Sequence, residues 1–155
     1  MYKRILVAVD GSHTSNWALD EAIRIAQESH GELHLVHVLN TVTLNTEGDF
    51  YSLPAWLDAM HRGAEAVLNE AVARAKQAGV ACEGKLLEID TIGYRIPEML
   101  ADEARNWPAD VIVIGTHGRH GMHRLLMGSV AEGVVRVATV PVLLIRGNNG
   151  NNAVA

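Results

Sequence analysis

A glycine-rich stretch between an apolar run and a helical pattern constrains the fold of this chain most. The stretch covers residues 115–129 and reads GTHGRHGMHRLLMGS. It follows the short apolar run 111–114, which is typical of a buried strand, and it precedes residues 130–139, which are predicted to be helical. A strand, a glycine loop and a helix start in this order let backbone N–H groups point at a phosphate. The sequence therefore predicts a loop that binds a nucleotide or a related phosphorylated ligand.

The rest of the chain alternates between strand and helix patterns. Apolar runs at 5–9, 33–39 and 140–145 predict further strands, and residues 80–89 predict a weaker one. Unbroken apolar runs indicate strands that are covered on both faces. The helix after the first strand is predicted to begin with Ser12 or Thr14 as its cap, to run to about Ser29 and to be stopped by Gly31. Five strands alternating with four helices predict an α/β fold with a doubly wound, mostly parallel sheet.

This fold class predicts where a ligand binds. In doubly wound sheets, ligands bind beyond the carboxyl ends of the strands, near the switch point. Asp10 follows the first strand and Gly115 follows the fourth. The two residues face one crevice if these strands are neighbours, an order that the pattern alone leaves open.

Composition excludes several classes of protein. The 155 residues fit one domain, predicted over 1–146, and the Asn- and Gly-rich residues 147–155 predict a disordered tail. A net charge of −5 argues against general binding to nucleic acid or to an anionic membrane. No apolar run approaches the roughly 20 residues of a membrane helix. The single cysteine, Cys82, allows no internal disulfide, which suits a reducing cytoplasm.

The glycine spacing separates this loop from two common phosphate-binding motifs. The spacing is G-x2-G-x9-G-S, with no Lys-Ser/Thr pair as in a Walker A loop and no G-x-G start as in a dinucleotide fingerprint. Two structural alternatives stay open. Loop glycines often serve only tight turns, and Asp10 can simply cap the helix that follows it.

Taken with the opening ILVAVDGS and the closing VPVLLIR, the loop resembles the universal stress protein family, in its ATP-binding subgroup. The resemblance covers residues 3–146 and implies a Rossmann-like sheet with strand order 3-2-1-4-5. It implies Asp10 at the ribose or at a metal-bound water, with Mg²⁺ as an accompanying ion, and backbone groups of Val38 at the adenine. The implied ATP-binding residues are Ala8, Val9, Asp10, Val38, Ile114, Gly115, Thr116, His117, Gly118, Arg119, Gly128, Ser129 and Val130.

Three histidines of the loop, His117, His120 and His123, raise the question of a metal site. Imidazole is a common zinc ligand. Spacing in a loop guarantees no convergence, however, and the motif contains neither Cys nor a carboxylate. The sequence therefore favours solvent-facing histidines near the phosphates, accompanied by Arg119 and Arg124, over a metal site.

The apolar residues of the last strand predict that it pairs with a second copy of the chain. Its apolar residues are Val140, Val142, Leu143, Leu144 and Ile145. An exposed apolar edge needs pairing, and Pro141 is tolerated at an edge. We therefore expect a two-fold homodimer through residues 140–145, with a monomer whose last strand is covered by helices as the alternative.

No attacking base can be named and no lysine lies in the loop. Efficient phosphoryl transfer usually requires such placed charge. The sequence thus predicts an ATP-binding sensor or regulator of the stress response with no catalytic residues and at most slow hydrolysis or self-phosphorylation. The alternatives are a slow ATPase or adenylyl-transfer enzyme that uses the same pocket, and a dimeric interaction module without a nucleotide.

Overall fold

The computed structural model describes residues 1–42, 53–117 and 127–147. Strands and helices alternate along these residues, in agreement with the predicted α/β class. The strands are β1 (Arg4–Ala8), β2 (Glu32–Asn40), β3 (Ala81–Ile89), β4 (Val111–Gly115) and β5 (Val142–Ile145). The helices are α1 (His13–Ser29), α2 (Leu53–Gln77), α3 (Ile96–Asn106) and α4 (Ser129–Val137).

The five strands form one parallel sheet in the order β3-β2-β1-β4-β5. This is the order that the family resemblance implies. In the register, Ile5 of β1 lies between Leu33 of β2 and Val111 of β4. The chain order reverses between β1 and β4, so the switch point lies between β1, which Asp10 follows, and β4, which ends at Gly115.

Two hydrophobic cores cover the two faces of the sheet. On one face Ile5 and Val7 pack with Leu19 of α1 and Leu68 of α2. On the opposite face the core contains Leu6, Ile112, Leu100 of α3 and Val134 of α4. Because the central strands are buried on both faces, their sequences are unbroken apolar runs. Each fully buried Leu or Ile contributes about 1.5–3 kcal/mol relative to an exposed one.

Helix α1 ends at Ser29, as predicted, but the residue that stops it is not the predicted Gly31. His30, not Gly31, closes the helix in the left-handed region, with φ 55°, and its N–H donates to the Ala26 carbonyl. Gly31 is needed for a close approach, because a Cβ there would lie 2.6 Å from the backbone oxygen of Lys3. The close approach of Lys3, just before β1, therefore explains the glycine at this position.

The last helix and strand are shorter than predicted. Helix α4 ends at Val137 because Ala138 is extended, with ψ 140°. Strand β5 begins at Val142, after Pro141, which has no N–H to donate to the ladder. The Pro141 carbonyl still accepts a hydrogen bond from the N–H of Ile112 at 2.9 Å.

Within the described parts of the chain, no helix is long and apolar enough to cross a membrane.

Candidate functional site

A crevice opens at the switch point, where β1 and β4 end side by side. Ala8 is the last residue of β1 and is followed by Val9 and Asp10, while Thr116 and His117 follow the end of β4. Helices α1 and α4 begin at the same edge of the sheet, on opposite faces. The two helix N-termini differ in how their N–H groups are satisfied.

The N-terminus of α1 is closed by its own side chains. Ser12 is the N-cap, and its Oγ accepts a hydrogen bond from the Ser15 N–H at 3.2 Å. Asp10 Oδ1 accepts from the Ser12 N–H at 2.9 Å, and the Asp10 N–H donates to Ser15 Oγ at 3.0 Å. Asp10 thus forms a turn before the cap, and Gly11 supplies the positive φ of 79° within it. The prediction of Ser12 as a cap is confirmed, and Asp10 is not the N-cap.

The N-terminus of α4 has no such closure. Its N-cap is Gly128, and no side chain of the described residues caps the first turn. Ser129, the first residue of α4, is exposed. The first N–H groups of a helix lack intrahelical partners and carry the positive end of the helix dipole. The acidic residue of this turn, Glu132, pairs with Arg136 at 2.7 Å. This helix end can therefore accept an anion.

Two glycines bring the stems of the loop together. The Gly128 N–H donates to the Thr116 carbonyl at 2.6 Å, and a Cβ on Gly128 would lie 2.9 Å from that oxygen. A Cβ on Gly115 would lie 2.9 Å from the backbone carbon of Thr14, whose hydroxyl donates to the His117 carbonyl. Neither glycine has a positive φ. Both are therefore explained by close packing of the loop stems rather than by turn conformation.

The end of β2 forms the third side of the crevice. The Val9 N–H donates to the Val36 carbonyl at 2.9 Å, so the backbone groups of Val36 face β1. Backbone groups of alternate residues point to the same side of a strand. Those of Val38 consequently point past Ala8, where β1 ends. This is where the resemblance implies an adenine contact.

His37 is a residue of this region that sequence reasoning did not connect to the crevice. It is buried, and its Nδ1–H donates to the Val9 carbonyl at 2.6 Å. The hydrogen bond fixes the chain as it leaves β1 toward Asp10. Its sequence position gives only its face of β2, whereas the contact with Val9 depends on how β1 and β2 pair.

The other residues that the resemblance implies differ in burial, and several of them lie outside the described residues. Ile114 packs into the core shared with α3 and α4, so only its backbone can reach a ligand. Thr116 is buried, and its hydroxyl lies 3.0 Å from His117 Nδ1. Val130 is half-buried in the first turn of α4. Gly118, Arg119, His120 and His123 lie outside the described residues.

A metal site made of three or more side chains does not occur among residues 1–42, 53–117 and 127–147: no such group of His, Cys, Asp or Glu could hold an ion there. The hypothesis of a site formed by the three loop histidines falls mostly on residues outside these ranges.

Comparisons with known proteins agree with the resemblance. The model of the universal stress protein family matches residues 1–146. A relative from Staphylococcus aureus (strain USA300) that carries the family name is 36% identical over 145 residues, which is 94% of this chain and 84% of that protein.

Solved structures give the same result. A universal stress protein family member from Burkholderia pseudomallei has 35% identity and a TM-score of 0.73, covering 93% of this chain and 96% of that one. The Archaeoglobus fulgidus universal stress protein in complex with dAMP has 28% identity, a TM-score of 0.68 and coverage of 93% and 98%. A universal stress protein in complex with cAMP has 27% identity, a TM-score of 0.65 and coverage of 94% and 97%. The chain belongs to the universal stress protein family.

Proposed function

We propose that the crevice binds an adenine nucleotide, ATP in particular, and that the protein is a nucleotide-dependent sensor or regulator of the stress response. The observation that carries the proposal is the uncapped N-terminus of α4 at the switch point of the sheet. The dAMP and cAMP complexes of two family members support it. The free thiol of Cys82 is compatible with the reducing cytoplasm in which we place the protein.

In this proposal the phosphates lie at the first turn of α4. The N–H groups of Gly128, Ser129 and Val130 and the hydroxyl of Ser129 donate to phosphate oxygens. The Gly128 N–H must then leave its contact with the Thr116 carbonyl or share it. Each helix-terminus interaction with a charge contributes about 0.3–1 kcal/mol, so several must act together.

Asp10 and Val38 complete the proposed site. The Asp10 carboxylate, held by the Ser12 N–H, serves as acceptor for a ribose hydroxyl or as an oxygen ligand to a Mg²⁺-bound water. Mg²⁺ would neutralise charge on the phosphates when bound. The backbone groups of Val38 pair with the adenine edge.

We propose no efficient catalysis at this site. Rapid phosphoryl transfer needs a positioned base and cationic groups at the phosphates. The described part of the crevice offers Asp10, which already accepts a hydrogen bond from the Ser12 N–H, and it offers no lysine. At most slow hydrolysis or self-phosphorylation is expected. An adenylyl-transfer enzyme would instead release pyrophosphate in a substrate-dependent manner.

A thermal-shift series with ATP, AMP, GTP and cAMP tests the proposed function. A ligand that binds only the folded state stabilises it by about 2.7 kcal/mol at a hundredfold excess over Kd. We expect ATP to raise Tm with and without Mg²⁺, and GTP to raise it less. An unchanged Tm with every nucleotide would support the alternative of an interaction module with a structural loop.

We also propose a homodimer through β5. This strand lies at one edge of the sheet and its four residues are half-buried in the single chain. The Pro141 carbonyl accepts a hydrogen bond from the N–H of Ile112 in β4, and the Ile145 carbonyl accepts one from Thr116, which follows β4. By alternation, the backbone groups of Val142 and Leu144 point away from β4, to a sheet edge on which no other described strand lies. These groups are available to a second copy of the strand.

A Val142→Pro variant tests the dimer, because proline removes an outward N–H without removing a donor to β4. We expect the native chain to sediment as a species of twice 16.8 kDa and the variant as a monomer. Leu143→Ala is the control, because its backbone groups face β4. A native protein that sediments as a monomer at micromolar concentration would contradict the dimer.

A further inference from the structure

A cluster of charged side chains lies on the opposite half of the sheet from the crevice. It consists of His34 of β2, Glu83 and Lys85 of β3, and Glu103 of α3, and is called the α3 cluster below. His34 is the third residue of β2, far from its carboxyl end, and is paired in register with Glu83. These side chains line a cavity of about 290 Å³ together with Asn106 and Trp107.

The hydrogen bonds of Glu103 determine the tautomer of His34. Glu103 is buried; Oε1 lies 2.7 Å from His34 Nε2, and both oxygens lie 3.0 Å from Lys85 Nζ. Burial alone raises the pKa of Glu103, but the hydrogen bonds from His34 and Lys85 outweigh it and lower this pKa below its ordinary value. Because Glu103 Oε1 also accepts from the Lys85 ammonium, the 2.7 Å contact identifies Nε2 as its second donor. In the tautomer that carries its proton on Nε2, Nδ1 has a lone pair.

Nδ1 of His34 has no hydrogen-bond partner among the described residues, although the side chain is only 3% exposed. Glu83 Oε1 lies 2.9 Å from it, within ion-pair distance but without making a hydrogen bond. Two such atoms suit adjacent ligands of one ion. With metal–ligand bonds of about 2.1 Å, this separation corresponds to an angle of about 90° at the metal. Tetragonal sites with nitrogen and oxygen ligands are typical of Cu²⁺ and Ni²⁺.

The surroundings of His34 resemble the outer shell of a metal site. A metal-bound histidine usually donates its other N–H to a carboxylate, which fixes the ring orientation. Glu103 supplies that carboxylate, and Lys85 balances its charge. Trp107 stacks on the imidazole with ring centroids 4.7 Å apart. The Glu83 side chain is 60% exposed and can admit an ion from solvent.

We propose that the α3 cluster binds a divalent transition-metal ion of the Cu²⁺ or Ni²⁺ type through His34 Nδ1 and Glu83 Oε1, with water completing the coordination. The site is separate from the nucleotide crevice and does not depend on the proposed function. Two protein ligands make it a reversible site rather than a structural one, because structural metal sites are closed by four protein ligands.

A titration of the ¹⁵N-labelled full chain with Ni²⁺ tests the proposal. Bound Ni²⁺ is paramagnetic, so we expect saturable broadening of the backbone amide signals of His34, Glu83 and Gly84. Glu83→Gln should weaken this binding at least tenfold, because it replaces a charged ligand by a neutral amide on a side chain that is 60% exposed. The matched control Glu70→Gln, on the exposed face of α2, should bind like the native chain.

Two results would overturn the proposal. One is broadening confined to other histidines, with the His34 and Glu83 signals unchanged at saturation. The other is Glu83→Gln binding at His34 with native affinity. Long-range ¹H–¹⁵N spectra of the imidazole add an independent check without metal: the Nε2–H tautomer is expected, and an Nδ1–H tautomer would also contradict the site.

Discussion

The crevice and the α3 cluster are two polar regions of one sheet that satisfy their polar groups differently. The crevice consists mainly of backbone N–H groups and hydroxyls, as at Ser129 and Thr116. The α3 cluster consists of charged side chains, with Glu103 buried between His34 and Lys85. Backbone groups that are solvated without a ligand cost the folded protein little free energy. Buried charges are costly unless they are paired within the fold. Substitutions should therefore affect ligand binding in the first region and stability in the second.

The largest expected effect is at Glu103. Glu103→Ala leaves His34 and the ammonium of Lys85 without their acceptor, and breaking a buried pair costs about 3–5 kcal/mol. We expect the free energy of unfolding, measured in urea, to fall by about 3 kcal/mol. This is the low end of that range, because Lys85 is half-exposed. Glu28→Ala, which removes a surface pair with Arg24, should cost less than about 1 kcal/mol. ATP affinity should not change, and a parallel loss of affinity would break the separation of the two regions.

The pH dependence of the unfolding free energy in acid tests the stabilising role of the α3 cluster. The pKa of Glu103 is lower in the folded protein than its ordinary value of 4.5, so its contribution is complete above that pH and is lost as pH falls through the folded-state pKa. Unfolding free energies measured from pH 6 downward should therefore fall less steeply in Glu103→Gln than in the native chain. Equal slopes below the ordinary value would show that Glu103 is not stabilised in its ionised form.

The second-largest effect is expected for Gly115→Val, which should lower both the stability of the fold and the affinity for ATP. Its Cβ would meet backbone atoms of Thr14 at 2.9–3.0 Å, and overpacking of this kind costs about 1–3 kcal/mol. The displaced loop stem should also weaken ATP binding. Gly63→Ala is the control, because nothing lies within 4 Å of a Cβ there and alanine favours the exposed helix by about 0.5–1 kcal/mol. Native stability in Gly115→Val would contradict the packing role of this glycine.

The smallest expected effect is at Ser129. Ser129→Ala removes one hydroxyl donor of the proposed phosphate site, which should cost about 1 kcal/mol, or roughly fivefold in the Kd for ATP by calorimetry. Thr139→Ala removes an exposed hydroxyl beyond the other end of α4 and should leave the Kd unchanged. Unfolding free energy should stay within about 0.5 kcal/mol in both variants. A native Kd in Ser129→Ala would exclude this hydroxyl from the site.

The difference between the two regions also explains what the sequence could predict. The crevice depends on local features: apolar runs that end at Asp10 and Gly115, a serine cap, and a glycine spacing shared with a family. Alternating strand and helix patterns were enough for the fold class, while the strand order came from the resemblance and is confirmed. The glycines were assigned to phosphate contact, and the close approach of Gly115 to Thr14 could not be foreseen without the packing of α1 on β4.

The α3 cluster depends on contacts between residues that are distant in sequence. Charged residues such as Glu83 and Lys85 are typical of a protected edge strand. In the structure β3 is an edge strand, yet Lys85 pairs with Glu103, and His34 meets Glu83 through the register of β2 and β3. No local sequence pattern reveals that register, because it is set by the pairing of two strands that are distant in sequence. The contact between His37 and Val9 was missed for the same reason.

An ATP titration of the ¹⁵N-labelled chain, followed by backbone amide shifts, tests the central claim most directly. We expect saturable shifts of Asp10, Val38, Ser129 and Val130 at the crevice, with His34 and Glu83 unaffected. The absence of saturable binding, or shifts that avoid the first turn of α4, would contradict the account.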